Sequence, residues 1–181
     1  MSLTQNWIDR ADRHVMKTYG RFPLVAVRGE GCRLWDADGR SYLDFVAGVA
    51  VNGLGHCHPK VVAALREQAG KLLHCSNFYH IPQQIELAEC LCARSFADQV
   101  FFCNSGAEAN EAAIKLARKY SREKYGDNRF EVITSLASFH GRTLATISAT
   151  GQEKVRAGFA PMLPGFKYVP FGDSGALRTS V

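Results

Sequence analysis

The chain has 181 residues, of which 46% are hydrophobic and 22% charged, and its formal net charge is +5 at pH 7. That is the composition of a soluble globular protein with room for one domain and a sizeable core, and it excludes intrinsic disorder. Lys and Arg are scattered along the chain and no apolar run approaches membrane-spanning length, so neither a nucleic-acid groove nor a membrane anchor is expected. The first twenty residues mix Asp9, Arg10, Asp12, Arg13 and Lys17 with apolar positions instead of forming a signal peptide's apolar block, which makes the cytoplasm the expected location. Six cysteines contain no C-x-x-C pair, so reduced thiols are expected. His56-Cys57-His58 with His74 and Cys75 lacks the ligand spacing of structural zinc, and no metal is expected there.

Trp7, Ile8, Ala11 and Val15 recur at helical spacing and predict a short amphipathic helix at the start. Tyr19-Gly20-Arg21-Phe22-Pro23 breaks that pattern and leads into Leu24-Val25-Ala26-Val27, a strand candidate. Cys32-Arg33-Leu34-Trp35 and Ser41-Tyr42-Leu43-Asp44-Phe45 read as a hairpin turning through Asp36-Ala37-Asp38-Gly39-Arg40. The turn lacks the further ligands and terminal Glu of a calcium loop. Residues 46–55 are apolar and glycine-rich, which suits backbone passing near a site or an interface. Pro59 fits the first position of a helix facing inward through Val62, Leu65, Ala69 and Leu72 or Leu73. After a polar and aromatic loop over residues 74–80, Pro82 precedes a second helix carrying Ile85, Leu87, Ala88 and Leu91, with Cys90 and Cys92 read as packing residues.

Val100-Phe101-Phe102-Cys103 is a short apolar run suited to a strand buried on both faces, and Ala113, Leu116, Ala117 and Tyr120 then recur at helical spacing. Between them, Ser105 can cap the helix and Gly106 permits close backbone approach, so the free N–H groups of the first turn would suit a phosphate monoester; an ordinary capped turn is the competing reading. Glu131-Val132-Ile133-Thr134 reads as the next strand, giving strand, helix and strand within about forty residues and hence a right-handed parallel crossover. The loop over residues 138–143 would then emerge at the same carboxyl edge as Ser105 and Gly106, where sites in open parallel sheets lie. In it Phe139 offers a flat face, His140 a hydrogen-bond donor and Arg142 an anion clamp, against the alternative of Phe139 in the core and Arg142 at the surface. A Gly- and Pro-bearing stretch leads to a strand at Phe166-Lys167-Tyr168-Val169, and Asp173 is placed to cap a helix beginning near Ser174. No internal repeat or low-complexity segment is present.

Four stretches in order resemble the class III pyridoxal-phosphate aminotransferases: Gly53-Leu54-Gly55-His56-Cys57-His58-Pro59, Ser76-Asn77-Phe78-Tyr79, residues 104–118, and residues 138–152. The resemblance covers essentially the whole chain. It implies an α/β fold of the fold type I aminotransferase kind, with an incomplete, mostly parallel sheet and flanking helices. Residues 1–55 would form an amino-terminal segment of the small domain, and residues 56–181 a truncated cofactor-binding large domain. By the same resemblance Gly106 and Ala107, with Ser105, would hold the phosphate of pyridoxal 5'-phosphate and Phe139 would stack on its ring. Arg142 would pair with the substrate's α-carboxylate, and Tyr19 and Asn77 would line the substrate pocket. Amino transfer from a small-molecule donor to a 2-oxo acid, in a homodimer with sites between subunits, is the implied activity. The family's Schiff-base lysine and its pyridine-facing aspartate would lie beyond residue 181, so the chain is expected to be the amino-terminal part of such an enzyme, inactive alone. A truncated sheet with uncovered faces is also expected to be poorly soluble without a partner, and a non-catalytic chain that pairs with a full-length subunit is the rival reading.

Overall fold

A computed structural model describes residues 2–181. The chain divides between His80 and Ile81 into two compact units.

The amino-terminal unit begins with α1 (Leu3–His14), capped by the Ser2 side chain, which accepts from the Gln5 N–H at 3.1 Å. An antiparallel sheet follows in the order β1 (Ala26–Glu30), β2 (Arg33–Asp36), β3 (Ser41–Leu43). The expected hairpin is present, whereas the first strand begins and ends later than its apolar run. Its limits are set by pairing, Arg28 opposite Trp35 and Glu30 opposite Arg33, and not by local hydrophobicity. Asp36, 2% exposed, organises the turn: its carboxylate accepts from the N–H groups of Asp38 and Arg40 at 3.0 and 2.8 Å, from Arg40 Nε at 3.0 Å and from the Tyr42 hydroxyl at 2.8 Å. Asp38 accepts from the Leu3 N–H at 2.8 Å and so ties α1 to the hairpin.

The glycine-rich stretch contains α2 (Ala47–Ala50), a single turn in which Ala47, Gly48, Val49 and Ala50 all have positive φ. L-residues disfavour that conformation, and here Asp44 sustains it by accepting from the Val46 and Ala47 N–H groups, both at 2.9 Å. The other oxygen of Asp44 lies 2.6 Å from His56 Nε2. The unit ends with α3 (Pro59–Ala69) and the loop that follows it. Pro59 starts α3 as expected, but Leu65 and Leu73 of its predicted inward face are 65% and 83% exposed.

The second unit holds α4 (Pro82–Cys92), α5 (Gly106–Tyr125), β4 (Val132–Ser135), α6 (Leu144–Ala149), α7 (Glu153–Arg156), β5 (Phe166–Val169) and α8 (Ser174–Thr179). β4 and β5 pair in parallel, Val132 opposite Phe166 through Ser135 opposite Val169, and α6 and α7 lie in the crossover between them. Among the described residues the run 100–103 enters no ladder, and Phe101 is exposed. The strand expected over that run is therefore corrected: β4 pairs with β5, and an apolar run shows that a segment can be buried but not that it joins a ladder. Ile85, Leu87 and Leu91 of α4 are exposed, and Cys90 is exposed where packing was expected. An apolar stripe states which face needs cover without supplying it.

Burial concentrates on α6. Ile114, Ile147, Ala149 and Val169 are the buried apolar side chains among the described residues, alongside Thr134, Thr146, Ser148 and Thr150. The α6 hydroxyls are bonded within the unit: Ser148 donates to the Leu144 carbonyl at 2.7 Å and Thr150 to the Thr146 carbonyl at 2.9 Å, while the Tyr168 hydroxyl donates to the Ser148 carbonyl. Burying small polar residues costs little when each hydroxyl finds a carbonyl in this way.

Candidate active site

The expected helix start at Ser105 and Gly106 is present. Ser105, in extended conformation, caps the twenty-residue helix α5, and its hydroxyl accepts from the Glu108 N–H at 3.2 Å. The Glu108 carboxylate reaches back to the Asn104 N–H at 2.6 Å. Those two bonds leave the N–H groups of Gly106 and Ala107 without a hydrogen-bond partner among the described residues, at the positive end of the helix dipole. Gly106 has no positive φ, and a Cβ placed on it would meet nothing within 4 Å. Its lack of a side chain is therefore not required by its own backbone or by a neighbour, and the approach to its N–H is open.

The loop after β4 lies against this turn. A Cβ on Gly141 would fall 2.7 Å from the Ala107 Cβ and 2.7 Å from Thr146 Oγ1, and its φ of +131° is one that other residues rarely adopt. Glycine at 141 thus allows the loop to touch the first turn of α5. The loop is held from several sides. Asn110 Nδ2 donates to the His140 carbonyl at 2.8 Å, Thr143 Oγ1 donates to Glu111 Oε1 at 2.5 Å, and the His140 N–H donates to Thr150 Oγ1 at 3.1 Å. Ser138 adds three bonds: its hydroxyl donates to the Ser135 carbonyl and accepts from the Gly151 N–H, and its carbonyl accepts from Gln152 Nε2. Thr143 and Thr146 close a capping box at the start of α6.

Phe139 and Arg142 project from this anchored loop. Phe139 is 56% exposed, contrary to a place in the core, and the Arg142 guanidinium carbon lies 6.0 Å from its ring centre. An open aromatic face and a guanidinium beside two unpartnered N–H donors form a surface suited to an anionic, flat ligand. Tyr19 and Asn77 belong to the amino-terminal unit. There Tyr19 is exposed, with the Arg21 guanidinium carbon 6.0 Å from its ring centre, and it helps to line a hollow of about 530 Å³ with Trp7, Ile8, Phe22 and Leu24. Asn77 lies in the loop between α3 and α4. Reading the sequence did not single out Asn110, Glu111, Gly141 or Thr146 for the contacts they make. Gly141 alone carried a signal, as a glycine between two polar residues after a strand.

Comparison with known proteins identifies the family. The model of the family "Aminotransferase class-III" matches residues 15–180. An acetylornithine aminotransferase of Thermosynechococcus vestitus is 60% identical over 96% of this chain and 42% of its own length. One from Caldanaerobacter subterraneus subsp. tengcongensis is 57% identical over 93% of this chain and 43% of its own. The crystal structure of the ornithine aminotransferase from Toxoplasma gondii ME49 superposes with a TM-score of 0.93 at 31% identity, over 99% of this chain and 43% of that one. The chain spans less than half the length of these relatives. Its α/β fold is that of the fold type I aminotransferases, and the chain belongs to the class-III aminotransferases.

Proposed function

We propose that this chain forms the phosphate-binding and carboxylate-binding walls of an acetylornithine aminotransferase, which moves the terminal amino group of N-acetylornithine to 2-oxoglutarate in arginine biosynthesis. The observation that carries the reading is the contact of Gly141 with the first turn of α5, which brings the loop bearing Phe139 and Arg142 against the helix start that presents the unpartnered N–H groups of Gly106 and Ala107. The cofactor is pyridoxal 5'-phosphate, and the residues present fit it: two open N–H donors for the phosphate, with Ser105 beside them, and an exposed aromatic ring for the pyridine face. When bound, that cofactor supplies the electron sink for amino transfer. The chain's own residues bind and orient: Gly106, Ala107 and Ser105 fix the phosphate end, Phe139 stacks, and Arg142 grips the donor's α-carboxylate through its planar fork. Tyr19 and Asn77 line the substrate pocket.

Residues 1–55 contribute to the small domain of the complete enzyme and residues 56–181 to the cofactor-binding domain, in a cytoplasmic homodimer. The 181 residues alone are inactive in this reading, because none of their lysines serves as the Schiff-base residue. Borohydride reduction with pyridoxal phosphate is then expected to leave no stoichiometric, site-specific adduct, and such an adduct would prove the reading wrong. The choice of donor is supported by identities of 57% and 60% to proteins named for acetylornithine. To test it, residues 1–181 are grafted in place of the matching stretch of the Thermosynechococcus vestitus relative and assayed with each donor. A preference for ornithine or 4-aminobutyrate over N-acetylornithine would sink the choice.

The cofactor assignment is tested at Gly106. Gly106→Ala meets open space, so the graft should melt no lower, yet its affinity for pyridoxal phosphate should fall about tenfold through the crowded N–H donors. Unchanged affinity would separate this turn from the cofactor.

A further inference from the structure

We infer that Asn110 and Glu111, one turn into α5, are positioning residues that set the reach of Arg142 and Phe139 from the phosphate-binding turn. This inference rests on the aminotransferase reading above. It starts from the part of the site that no ligand would touch. The loop over residues 139–143 has no regular backbone pairing of its own, so what fixes it is side chains from α5 and the hydroxyls of α6. Asn110 Nδ2 donates to the His140 carbonyl at 2.8 Å, on the amino side of Gly141, and Glu111 Oε1 accepts from Thr143 Oγ1 at 2.5 Å, on its carboxyl side. Thr143 Oγ1 also lies 2.7 Å from Thr146 Oγ1, and the Thr143 N–H donates to the same Thr146 hydroxyl at 3.0 Å, so Glu111 holds the residue that starts α6.

The two bonds straddle the point of closest approach, where Gly141 meets Ala107. Phe139 precedes the Asn110 attachment by one residue and Arg142 precedes the Glu111 attachment by one. Both side chains are therefore carried on short arms whose bases are bolted to the helix that presents the Gly106 and Ala107 N–H groups. A cofactor held at its phosphate by α5 would meet a ring-stacking and carboxylate-binding loop referenced to the same helix. Displacement of such an arm by about 1 Å is enough to disturb the fit of a reacting group.

The test uses the same graft and reads pyridoxal phosphate affinity by titrating the apo form, the KM and kcat for N-acetylornithine, and amide hydrogen exchange over residues 138–143. Asn110→Ala and Glu111→Ala should each raise the KM about fivefold to tenfold with a smaller change in kcat, and should speed exchange in the loop. Glu111→Gln keeps an acceptor for Thr143 and should stay near the parent value. Arg142→Ala combined with Glu111→Ala should raise KM no further than Arg142→Ala alone, because Glu111 acts through the residue already removed. Additive effects of those two changes would overturn the inference, as would a KM and loop exchange that stay at parental values in the alanine variants. A fall in the melting temperature of the apo form that accounts for the loss of affinity would overturn it too, by assigning the pair to general stability. A parent graft without transaminase activity would instead defeat the underlying functional reading, while the exchange experiment would still report on the clamp itself.

Discussion

The irregular stretches of the two units are held by different chemistry. In the amino-terminal unit the hairpin turn and the left-handed turn at residues 47–50 are organised by carboxylates, Asp36, Asp38 and Asp44, each accepting several hydrogen bonds. In the second unit the loop beside the Ser105 turn is organised mainly by hydroxyls, a glycine contact and a side-chain amide, with the Glu111 carboxylate as its one acidic anchor and Thr146, Ser148 and Thr150 fully buried. A carboxylate can gather four donors at once but carries a charge that acid removes, whereas a hydroxyl gathers fewer and is indifferent to pH. The loop proposed to meet the cofactor is thus held mainly by groups whose protonation does not change near neutrality.

The largest expected effect comes from breaking the second kind of anchoring at its backbone. A Cβ on Gly151 would fall 2.1 Å from the Ser135 carbonyl oxygen and 2.8 Å from the Leu136 Cα, at the bridge between Leu136 and Gly151. Both obstacles are backbone at the end of β4, which cannot swing aside. Gly151→Ala should therefore cost about 3 kcal/mol, read as a lower denaturant midpoint, and a midpoint equal to that of the parent would show that the end of β4 yields easily. Thr146→Val comes next. It removes the hydroxyl that accepts from the Thr143 N–H and should cost about 1 to 2 kcal/mol, with the same loss at pH 5 and pH 8.

How much of this was legible in the sequence divides along the same line. Local signals were sufficient for the Ser105 and Asp173 caps, the Pro59 and Pro82 helix starts, the hairpin and the strand at 166–169, because each depends on residues within one turn. The meeting of the 138–143 loop with the Ser105 turn was also anticipated, although the strand expected at residues 100–103 is not among those observed. Long-range partners were not legible. Nothing in the spacing of Asn110 announces the His140 carbonyl thirty residues later, and Asp36 and Asp38 looked like ordinary turn residues. The α6 segment, Leu144-Ala145-Thr146-Ile147-Ser148-Ala149, is too polar to read as a core helix, and it is buried because its hydroxyls bond to its own carbonyls and to the loop that follows α7. The predicted inward faces of α3 and α4 show the converse: strongly apolar positions such as Leu65 and Leu87 remain exposed in this chain.

The carboxylate-anchored region offers the pH arm of the comparison. Burial alone would raise the Asp36 carboxyl, but hydrogen bonds from the Tyr42 hydroxyl and the Arg40 N–H, with the Arg40 guanidinium and its charge, bring it below the ordinary aspartate value. Asp44 is also lowered, first by the His56 ring and then by the Ala47 and Val46 N–H groups. A lowered folded value means stability that is complete above the unfolded aspartate pKa and is lost as pH falls through the folded one. The hairpin should accordingly loosen in acid while Asp36→Asn loosens it already at neutral pH. The gap between parent and variant should close as pH drops below the ordinary aspartate range. Fluorescence of Trp35, whose ring lies 4.3 Å from the Arg28 guanidinium carbon, reports on this hairpin. A gap that persists unchanged at low pH would mean that the charge of Asp36 is not what holds the turn.

The smallest expected effect is at Asp38, and it separates a cap from a cross-link. Its carboxylate is lowered first by the Thr4 hydroxyl, against burial, and then by the Leu3 and Thr4 N–H groups. Ser2 already caps α1 from its own chain neighbourhood, so the helix does not depend on Asp38 for its start. What Asp38 adds is a tie across thirty-five residues to the first turn of that helix. Asp38→Asn keeps an oxygen acceptor and removes the charge, so helicity should hold while Trp7, in the middle of α1, becomes more accessible to a neutral quencher. Loss of helicity with no change in quenching would make Asp38 a cap for α1, and the coupling between helix and hairpin would then rest on other contacts.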